Sequence, residues 1–199
     1  MLIMAGKLIE SHVEYTKGLI KTEFIHLFEK QGLEKTSVNQ ICNVCSISRS
    51  TFYQYYDDKY DLLESIEDEL LEAVRSINVD MHKYAISDTD TSIPLWIETA
   101  SYIYEKRDFF RPLILIPGDP RFVHKWNKVI RNTIQLRLAA DNLDCSSMDM
   151  ELITYSMASS MIGMYEYWFQ YRPDLTPKQI AESGSKLLWS AFYKLQDPS

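Results

Sequence analysis

A run of polar side chains late in the first third of the chain combines residue types that form hydrogen bonds with nucleic acids. Arginine can donate bidentately to guanine and glutamine can pair with adenine, whereas Ser, Thr and Tyr hydroxyls can donate to phosphate oxygens. If these side chains share the exposed face of one helix, the pattern predicts a surface that contacts duplex DNA. The candidates are Arg49, Ser50, Thr51, Tyr53, Gln54 and Tyr55.

Two further residues lie at predicted helix starts beside this run. Lys59 follows Asp57-Asp58, and a cation in the first turn of a helix opposes the helix dipole unless an anion is nearby. A DNA phosphate could supply that anion, and the free backbone N–H groups of the same helix start could bind it as well. Ser37, at the start of an earlier helix, could place its hydroxyl against the DNA backbone. Ser37 and Lys59 therefore complete the predicted DNA-contact set.

Cys42 and Cys45 have the CxxC spacing of redox and zinc sites. No second Cys or His pair follows, and both thiols fall on the inward side of a predicted helix, so core packing is favoured over thiol sensing. The sequence also contains no HExxH, GxGxxG, P-loop or Ser-His-Asp order, and its four histidines form no motif. We therefore predict a protein that is not an enzyme and that needs neither a cofactor nor a metal.

The spacing of apolar residues predicts which elements hold these side chains. Steps of three and four residues over 9–30 indicate an amphipathic helix, which Gly32 would close. Ser37 and Gln40 then have the spacing of a capping box, in which each residue bonds the other's backbone N–H. A second helix is predicted from there to about Cys45.

A turn and a third helix follow directly. Ser46-Ile47 forms the predicted turn, and Ser48 caps a helix from Arg49 to about Tyr56, with Phe52 and Tyr56 facing the core. Asp57-Asp58 would cap a long fourth helix. The second and third helices are each about eight residues long, below the ~12–15 that an isolated helix needs in water. They can form only by packing against the first and fourth helices.

Beyond a polar stretch at 87–92, the sequence predicts five more helices and no strands. Asp119-Pro120 and Thr176-Pro177 each place a capping residue before a proline, which is a helix-start signal. The predicted fold is all-α with about nine helices, comprising a helix-turn-helix domain over 1–60 and a helical bundle over 61–199 for effector binding and dimerisation. The five later helices are predicted at 93–106, 108–116, 120–140, 146–171 and 177–195.

The charge distribution separates the two predicted domains. Residues 1–60 contain seven basic and seven acidic side chains, so the whole acidic excess behind the net charge of −7 lies after Tyr60. This asymmetry fits a neutral module that approaches a polyanion and an acidic body that stays away from it. No apolar run is long enough to span a membrane and no export signal is evident. We expect a cytoplasmic protein without a membrane partner.

The string from Thr36 to Leu63 resembles the DNA-binding domain of the TetR family of transcriptional regulators. The Thr-Phe-Tyr triplet at 51–53 and its spacing to Lys59 carry the resemblance. Residues 57–63 are similar to a subgroup that includes a coactivator of dihydroxyacetone kinase expression. Ser46 departs from the family's usual turn glycine and must adopt the turn geometry without glycine's freedom. The resemblance implies contacts with operator DNA from Ser37, Arg49, Thr51, Tyr53, Tyr55 and Lys59, with Tyr53 and Lys59 on phosphates.

The second half of the chain is rich in aromatic residues and methionine. Such side chains could line a ligand cavity, because Met adapts to irregular guests and aromatic rings form flat walls. They could equally form an ordinary core, although the family resemblance implies a small-molecule effector. The candidates are Trp96, Tyr102, Phe110, Trp126, Met157, Met161, Met164, Tyr165 and Trp168.

The last two predicted helices have the patterns of a dimer interface. Small residues at three- and four-residue steps would let another helix approach closely, and the final helix carries an apolar stripe. Two such helices from each subunit would form a four-helix interface, and the resemblance likewise implies a homodimer. A dimer would present two reading helices to half-sites about one DNA turn, or a multiple of it, apart. The candidates are Ser156, Ser159, Gly163, Leu187, Leu188 and Phe192.

Together these patterns predict a homodimeric, ligand-responsive repressor of TetR type that binds double-stranded operator DNA. One alternative is a coactivator-like regulator controlled by a protein partner instead of a small molecule. The alternative from another class is a redox protein built on the CxxC.

Overall fold

A computed structural model describes residues 2–80, 83, 89–116, 121–140 and 148–196, with the backbone alone described at 2–10, 89–91, 140 and 187–196. Within these ranges there are nine helices and no strand, which confirms the predicted all-α class. The helices are α1 (Leu2–Lys35), α2 (Val38–Cys45), α3 (Arg49–Tyr53), α4 (Lys59–Ile77), α5 (Thr89–Glu105), α6 (Arg107–Leu115), α7 (Arg121–Ala140), α8 (Met148–Tyr171) and α9 (Pro177–Gln196).

Two helix starts differ in how well the sequence signals predicted them. Thr176 caps α9 with a capping box, because its hydroxyl accepts from the N–H of Gln179 while its own N–H donates to the Gln179 side chain. In contrast, α5 begins four residues before the predicted Ile93, and Pro94 lies in its second turn. A proline inside a helix removes one backbone hydrogen bond and crowds the preceding turn, yet α5 continues on both sides of Pro94. Asp119-Pro120 lies outside the described residues.

The chain divides into two compact units, and the boundary falls inside α4. The first unit contains the chain through Glu69 together with Ile116, and the second contains the rest of the described chain from Leu70 onward. The first half of α4 therefore packs with α1–α3, and its second half packs with the later helices.

The first unit is built around one apolar core that all four of its helices share. α2 has eight residues and α3 has five, so neither would be stable as an isolated helix and both depend on this packing. Burying a large aliphatic or aromatic side chain stabilises by about 1.5–3 kcal/mol. The fully or almost fully buried side chains include Ile20, Phe24, Ile41, Phe52, Leu62, Leu63 and Ile66.

The second unit contains an aromatic cluster at its centre. The ring of Trp126 lies 5.2 Å from those of both Phe110 and Tyr165, and Tyr165 lies 6.2 Å from Trp168. The indole N–H of Trp168 donates to the Leu175 carbonyl at 2.9 Å, which holds the connection between α8 and α9. These rings join α6, α7 and α8 into one core.

Candidate nucleic-acid interface and buried cavity

The start of α2 has the predicted capping box. The hydroxyl of Ser37 accepts from the backbone N–H of Gln40 at 3.3 Å, and the Gln40 side-chain oxygen accepts from the Ser37 N–H at 2.9 Å. Ser37 is exposed, and its extended backbone is typical of an N-cap. The hydroxyl that could contact DNA thus already holds a helix end in place.

Ser46 turns the chain between α2 and α3. It has φ 54° and ψ 40°, which is the left-handed conformation. Ser46 therefore adopts the turn geometry that a glycine would usually provide, as predicted. The N–H of Ile47 donates to the Cys42 carbonyl at 3.0 Å, and that of Ser46 to Asn43 at 3.2 Å. This is the Schellman pattern, so hydrogen bonds offset the strain of a non-glycine residue at a positive φ.

α3 is shorter than predicted. Ser48 caps it, accepting from the Thr51 N–H at 3.0 Å, but the helix ends at Tyr53, three residues before the predicted Tyr56. Tyrosines are mediocre helix formers, and the chain must leave the helix to start α4. Phe52 is fully buried and Tyr56 is 5% exposed, which confirms the predicted inward face.

The predicted DNA-contact residues of this segment are not equally accessible. Arg49, Ser50, Tyr53 and Gln54 are exposed, whereas Thr51 and Tyr55 are half-buried. The ammonium of Lys17 in α1 lies 5.9 Å from the centre of the Tyr55 ring, so Tyr55 packs beside α1. Only four of the six residues predicted in this segment are therefore exposed for contact with DNA.

Arg49 and Tyr53 contact each other across one turn of α3. The guanidinium donates to the Tyr53 hydroxyl at 3.2 Å and lies 5.7 Å from the ring centre. This contact limits the rotamers of two long side chains on the exposed face.

Lys59 has protein partners that the sequence argument missed. Its ammonium donates to the carbonyls of Leu33 at 2.8 Å and Glu34 at 3.3 Å. Gly32, with φ 78° and ψ 165°, interrupts α1 just before these carbonyls. The end of α1 therefore provides the negative partner for which the sequence argument invoked a phosphate.

Two backbone N–H groups in the first turn of α4 are occupied as well. The carboxylate of Asp58 accepts from the N–H of Tyr60 at 2.7 Å and of Asp61 at 2.9 Å, which confirms the predicted Asp cap. The Asp58 carboxylate therefore occupies two of the N–H groups that were expected to be free for a phosphate.

The CxxC thiols lie in the core, as predicted. Cys42 is 4% and Cys45 is 6% exposed, and their sulfurs contact the carbonyls of Ser48 and Leu19 respectively at 3.9 Å. Burial raises the pKa of Cys45 to about 11 and also raises that of Cys42. Because the thiolate is the reactive form, this environment opposes redox chemistry.

The second unit contains a small cavity of about 50 Å³. Four of the nine sequence-predicted ligand residues line it, namely Trp96, Trp126, Met161 and Tyr165. The other five do not line it. They are Tyr102, Phe110, Met157, Met164 and Trp168.

Sequence reasoning missed the polar part of the cavity wall. Arg137, Asn78, Thr99 and Thr133 contribute to it. Arg137 is only 3% exposed, and it follows Ile130 and Ile134 on the same apolar face of α7. A charged residue at a helical step along an apolar face is the signal that could have identified it.

The predicted dimer residues can be located only in part. Ser156, Ser159 and Gly163 are exposed on α8, whereas the side chains of Leu187, Leu188 and Phe192 lie outside the described part of α9. Large apolar residues extend the same exposed face of α8. They are Met148, Leu152, Tyr155, Tyr167 and Tyr171.

Comparison with known protein families identifies both halves of the chain. Residues 25–66 match the model of bacterial regulatory proteins of the tetR family, and residues 90–189, half of the chain, match the model of a TetR-type transcriptional regulator C-terminal region. The chain belongs to the TetR family. Its relatives in the family are transcriptional regulators.

Individual relatives are distant in sequence. The chain is 20% identical over 180 residues to an uncharacterized HTH-type transcriptional regulator, YxbF, of Bacillus subtilis (strain 168), with 88% of this chain covered. The match spans only 45% of YxbF, a little under half of that protein's length.

Two solved structures of TetR regulators share the fold. FadR of Thermus thermophilus, a transcriptional repressor in complex with lauroyl-CoA, has a TM-score of 0.56 and 19% identity, with 86% of this chain and 92% of FadR covered. The dihydroxyacetone kinase operon activator DhaS has a TM-score of 0.60 and 18% identity, with 88% and 95% covered.

The described ranges contain neither a membrane-spanning helix nor a cluster of metal ligands. No helix there has an apolar stretch long enough to cross a membrane. Among the same residues, no three His, Cys, Asp or Glu side chains converge as metal ligands would.

Proposed function

We propose that the protein is a homodimeric regulator that binds operator DNA through residues 1–60 and responds to a small-molecule effector bound by residues 61–199. The observation that carries the proposal is the way in which α3 is held with its polar side chains exposed. A capping box, a Schellman turn and the buried Phe52 ring hold this five-residue helix so that Arg49, Ser50, Tyr53 and Gln54 face solvent. A short helix held this way after a tight turn is the element that helix-turn-helix proteins place in the major groove.

The contacts divide into base readout and phosphate binding. Arg49 and Gln54 have the side chains that read guanine and adenine, and Ser37, Ser50, Thr51, Tyr53, Tyr55 and Lys59 supply donors for phosphates. Tyr55 and Lys59 would then share their side chains between the protein and DNA. The Arg49 guanidinium would leave Tyr53 to reach a base.

Selection of bound sequences from a random duplex pool, followed by fluorescence anisotropy, tests DNA binding. Gln54→Ala should weaken binding to the selected operator by about fivefold or more, because a lost bidentate contact costs about 1–3 kcal/mol. Gln170→Ala, which truncates an exposed glutamine in α8, is the matched control. Enrichment of no sequence, or equal affinity of the two variants, would contradict the proposal.

The exposed apolar face of α8 supports the homodimer. Leu152 is 65% exposed and lies on the same face as Ser159 and Gly163, which would let a partner helix approach closely. A contiguous exposed apolar patch favours a protein interface. Leu152→Glu places a charge in this apolar face and should therefore convert the dimer to a monomer, as measured by sedimentation velocity. Leu136→Glu in α7, where the leucine is 59% exposed, should remain dimeric if the interface is on α8.

α4 offers a route from effector to DNA. Its first residue, Lys59, belongs to the predicted DNA-contact set, and its Val74 lines the cavity. A ligand that favours one position of α4 would shift the population of DNA-competent molecules.

We further propose that the regulator is a repressor that ligand binding releases from its operator. Deletion of its gene should then raise transcription from promoters that carry the selected operator. A fall in transcription, together with capture of a specific protein partner and no ligand response, would instead support the coactivator-like alternative.

A further inference from the structure

The predicted DNA-contact set is short of cations. Among its eight residues, Arg49 and Lys59 alone are positively charged, and the Lys59 ammonium already donates to two backbone carbonyls. Proteins that bind duplex DNA neutralise several phosphates with lysine and arginine side chains. A further cation beside the helix-turn-helix is therefore expected.

Lys17 lies beside this surface although it belongs to α1. Its ammonium is 5.9 Å from the centre of the Tyr55 ring, just beyond the end of α3, which is within the range of a cation–π contact. The carbonyl of Leu19, in the same turn of α1, contacts the Cys45 sulfur at the end of α2 at 3.9 Å. All of these residues belong to the first compact unit. This part of α1 therefore packs against the helix-turn-helix itself.

The Lys17 ammonium is available to bind a phosphate. Its side chain is 37% exposed, and its ion pair with Glu14 spans 3.9 Å between two side chains at the surface. Exposed pairs of this kind contribute little, so a phosphate can replace the carboxylate. Lys21, one turn further along α1, differs because its side chain is 15% exposed and pairs with Glu69 of α4. Lys21 therefore holds α1 to α4, whereas the charge of Lys17 can serve DNA binding.

We propose that Lys17 is a further DNA-binding residue, whose ammonium binds a backbone phosphate next to the phosphate contacted by Tyr55. Lysine carries a compact charge on a flexible stem, which suits a phosphate because such a contact needs charge more than a fixed hydrogen-bond geometry. The contact carries no sequence information, but it fixes the orientation of the reading helix on the duplex. The inference rests on the proposed function in taking α3 as the helix that reads operator DNA.

Salt titration of operator binding, followed by fluorescence anisotropy, tests the contact. Each phosphate bound by a lysine contributes about one unit to the slope of log K against log salt. Lys17→Met should reduce the slope by about one and weaken binding about fivefold at roughly 0.15 M salt. Lys30→Met, which removes an exposed lysine of the same helix, should leave both unchanged. An unchanged slope in Lys17→Met would overturn the proposal.

A comparison of two duplexes shows which part of the DNA Lys17 binds. Because a phosphate contact is independent of sequence, Lys17→Met should weaken binding to the selected operator and to a scrambled duplex of equal length by the same factor. Gln54→Ala should weaken binding to the operator alone. Loss of affinity for the operator alone in Lys17→Met would overturn the assignment to a phosphate.

A role for Lys17 in packing on the Tyr55 ring would give different results. Lys17→Arg keeps the charge and should retain the parent's salt slope, whereas a packing role would lower the affinity of Lys17→Met without changing its slope. Urea unfolding of Lys17→Met should match that of Lys30→Met. A slope reduced equally in Lys17→Met and Lys17→Arg would show a disturbed surface in place of a lost charge, and would also overturn the proposal.

The behaviour of the parent protein distinguishes this contact from the proposed function. Specific operator binding by the parent, with an unchanged slope in Lys17→Met, would refute the contact and leave the proposed function intact. Enrichment of no sequence by the parent would refute the proposed function and the contact together.

Discussion

Replacing Lys59 with methionine would separate two roles of one side chain. Methionine keeps most of the aliphatic stem and removes the ammonium, which donates to the carbonyls of Leu33 and Glu34. Hydrogen bonds from charged donors contribute about 1.5–3 kcal/mol when they are buried, but Lys59 is half-buried and water can solvate the freed carbonyls. The expected loss in the free energy of unfolding is therefore about 1–2 kcal/mol.

Urea unfolding of the full chain measures this loss. Lys30→Met is the matched control, because Lys30 is an exposed lysine of α1, and surface substitutions usually change stability by less than ~0.5 kcal/mol. Equal stability of the two variants would refute the view that Lys59 holds α4 to the end of α1.

Salt titration of operator binding then examines the second role. Each phosphate contact made by a lysine contributes about one unit to the slope of log K against log salt. If Lys59 also binds a phosphate, Lys59→Met should reduce this slope by about one, whereas Lys30→Met should not. A destabilised Lys59→Met protein with an unchanged slope would show that Lys59 is only a structural cap and that its predicted DNA contact is wrong.

Two further predictions concern stability. Ser46→Gly should raise the free energy of unfolding by about 0.5–1 kcal/mol. The left-handed conformation costs an L-residue about 1–2 kcal/mol, and the greater entropy of glycine in the unfolded chain offsets part of the gain from relieving this strain. An unchanged or lower thermal midpoint would show that Ser46 is not strained. Stability should fall as pH rises from about 9 towards 11, because the pKa of Cys45 is raised from 9.0 to about 11, so the unfolded chain loses this proton first. Cys45→Ala should lessen that fall relative to the parent in pH-dependent urea unfolding, and an identical pH profile would contradict the assignment to Cys45.

The local signals around α2 and α3 could be read from the sequence because they act within a few residues. The Ser37 capping box, the Ser48 cap and the inward positions of Phe52 and Tyr56 follow from short-range geometry. The end of α3 was less predictable, because consecutive tyrosines neither favour nor forbid another helical turn.

Contacts between segments distant in the chain could not be read this way. Lys59 and the carbonyls of Leu33 and Glu34 are about 25 residues apart, and their pairing depends on where Gly32 breaks α1. The position of Lys59 in the first turn of α4 did indicate that its charge needs a partner. The predicted partner was a phosphate, because the carbonyls of Leu33 and Glu34 come close to Lys59 only in the folded chain.

The cavity was likewise predictable in part from the sequence and in part only from the packing of distant helices. Aromatic and Met-rich composition indicated the region, and Trp96, Trp126, Met161 and Tyr165 do line the cavity. Phe110 and Trp168 instead pack within the aromatic core. Composition alone could not distinguish them from the cavity-lining residues, because it does not show which side chains border a void. Arg137 was overlooked because a lone arginine usually lies at the surface.

By itself, the sequence determined the all-α class, the helix-turn-helix with its caps and turn, the burial of the CxxC thiols and the family. These depend on helical periodicity, on capping within three or four residues and on a local motif. The tertiary structure alone decided which oxygens Lys59 binds, which of the predicted side chains line the cavity, and that Arg137, which was not predicted, lines it too. These depend on how helices far apart in the chain pack together, and no local pattern encodes that packing.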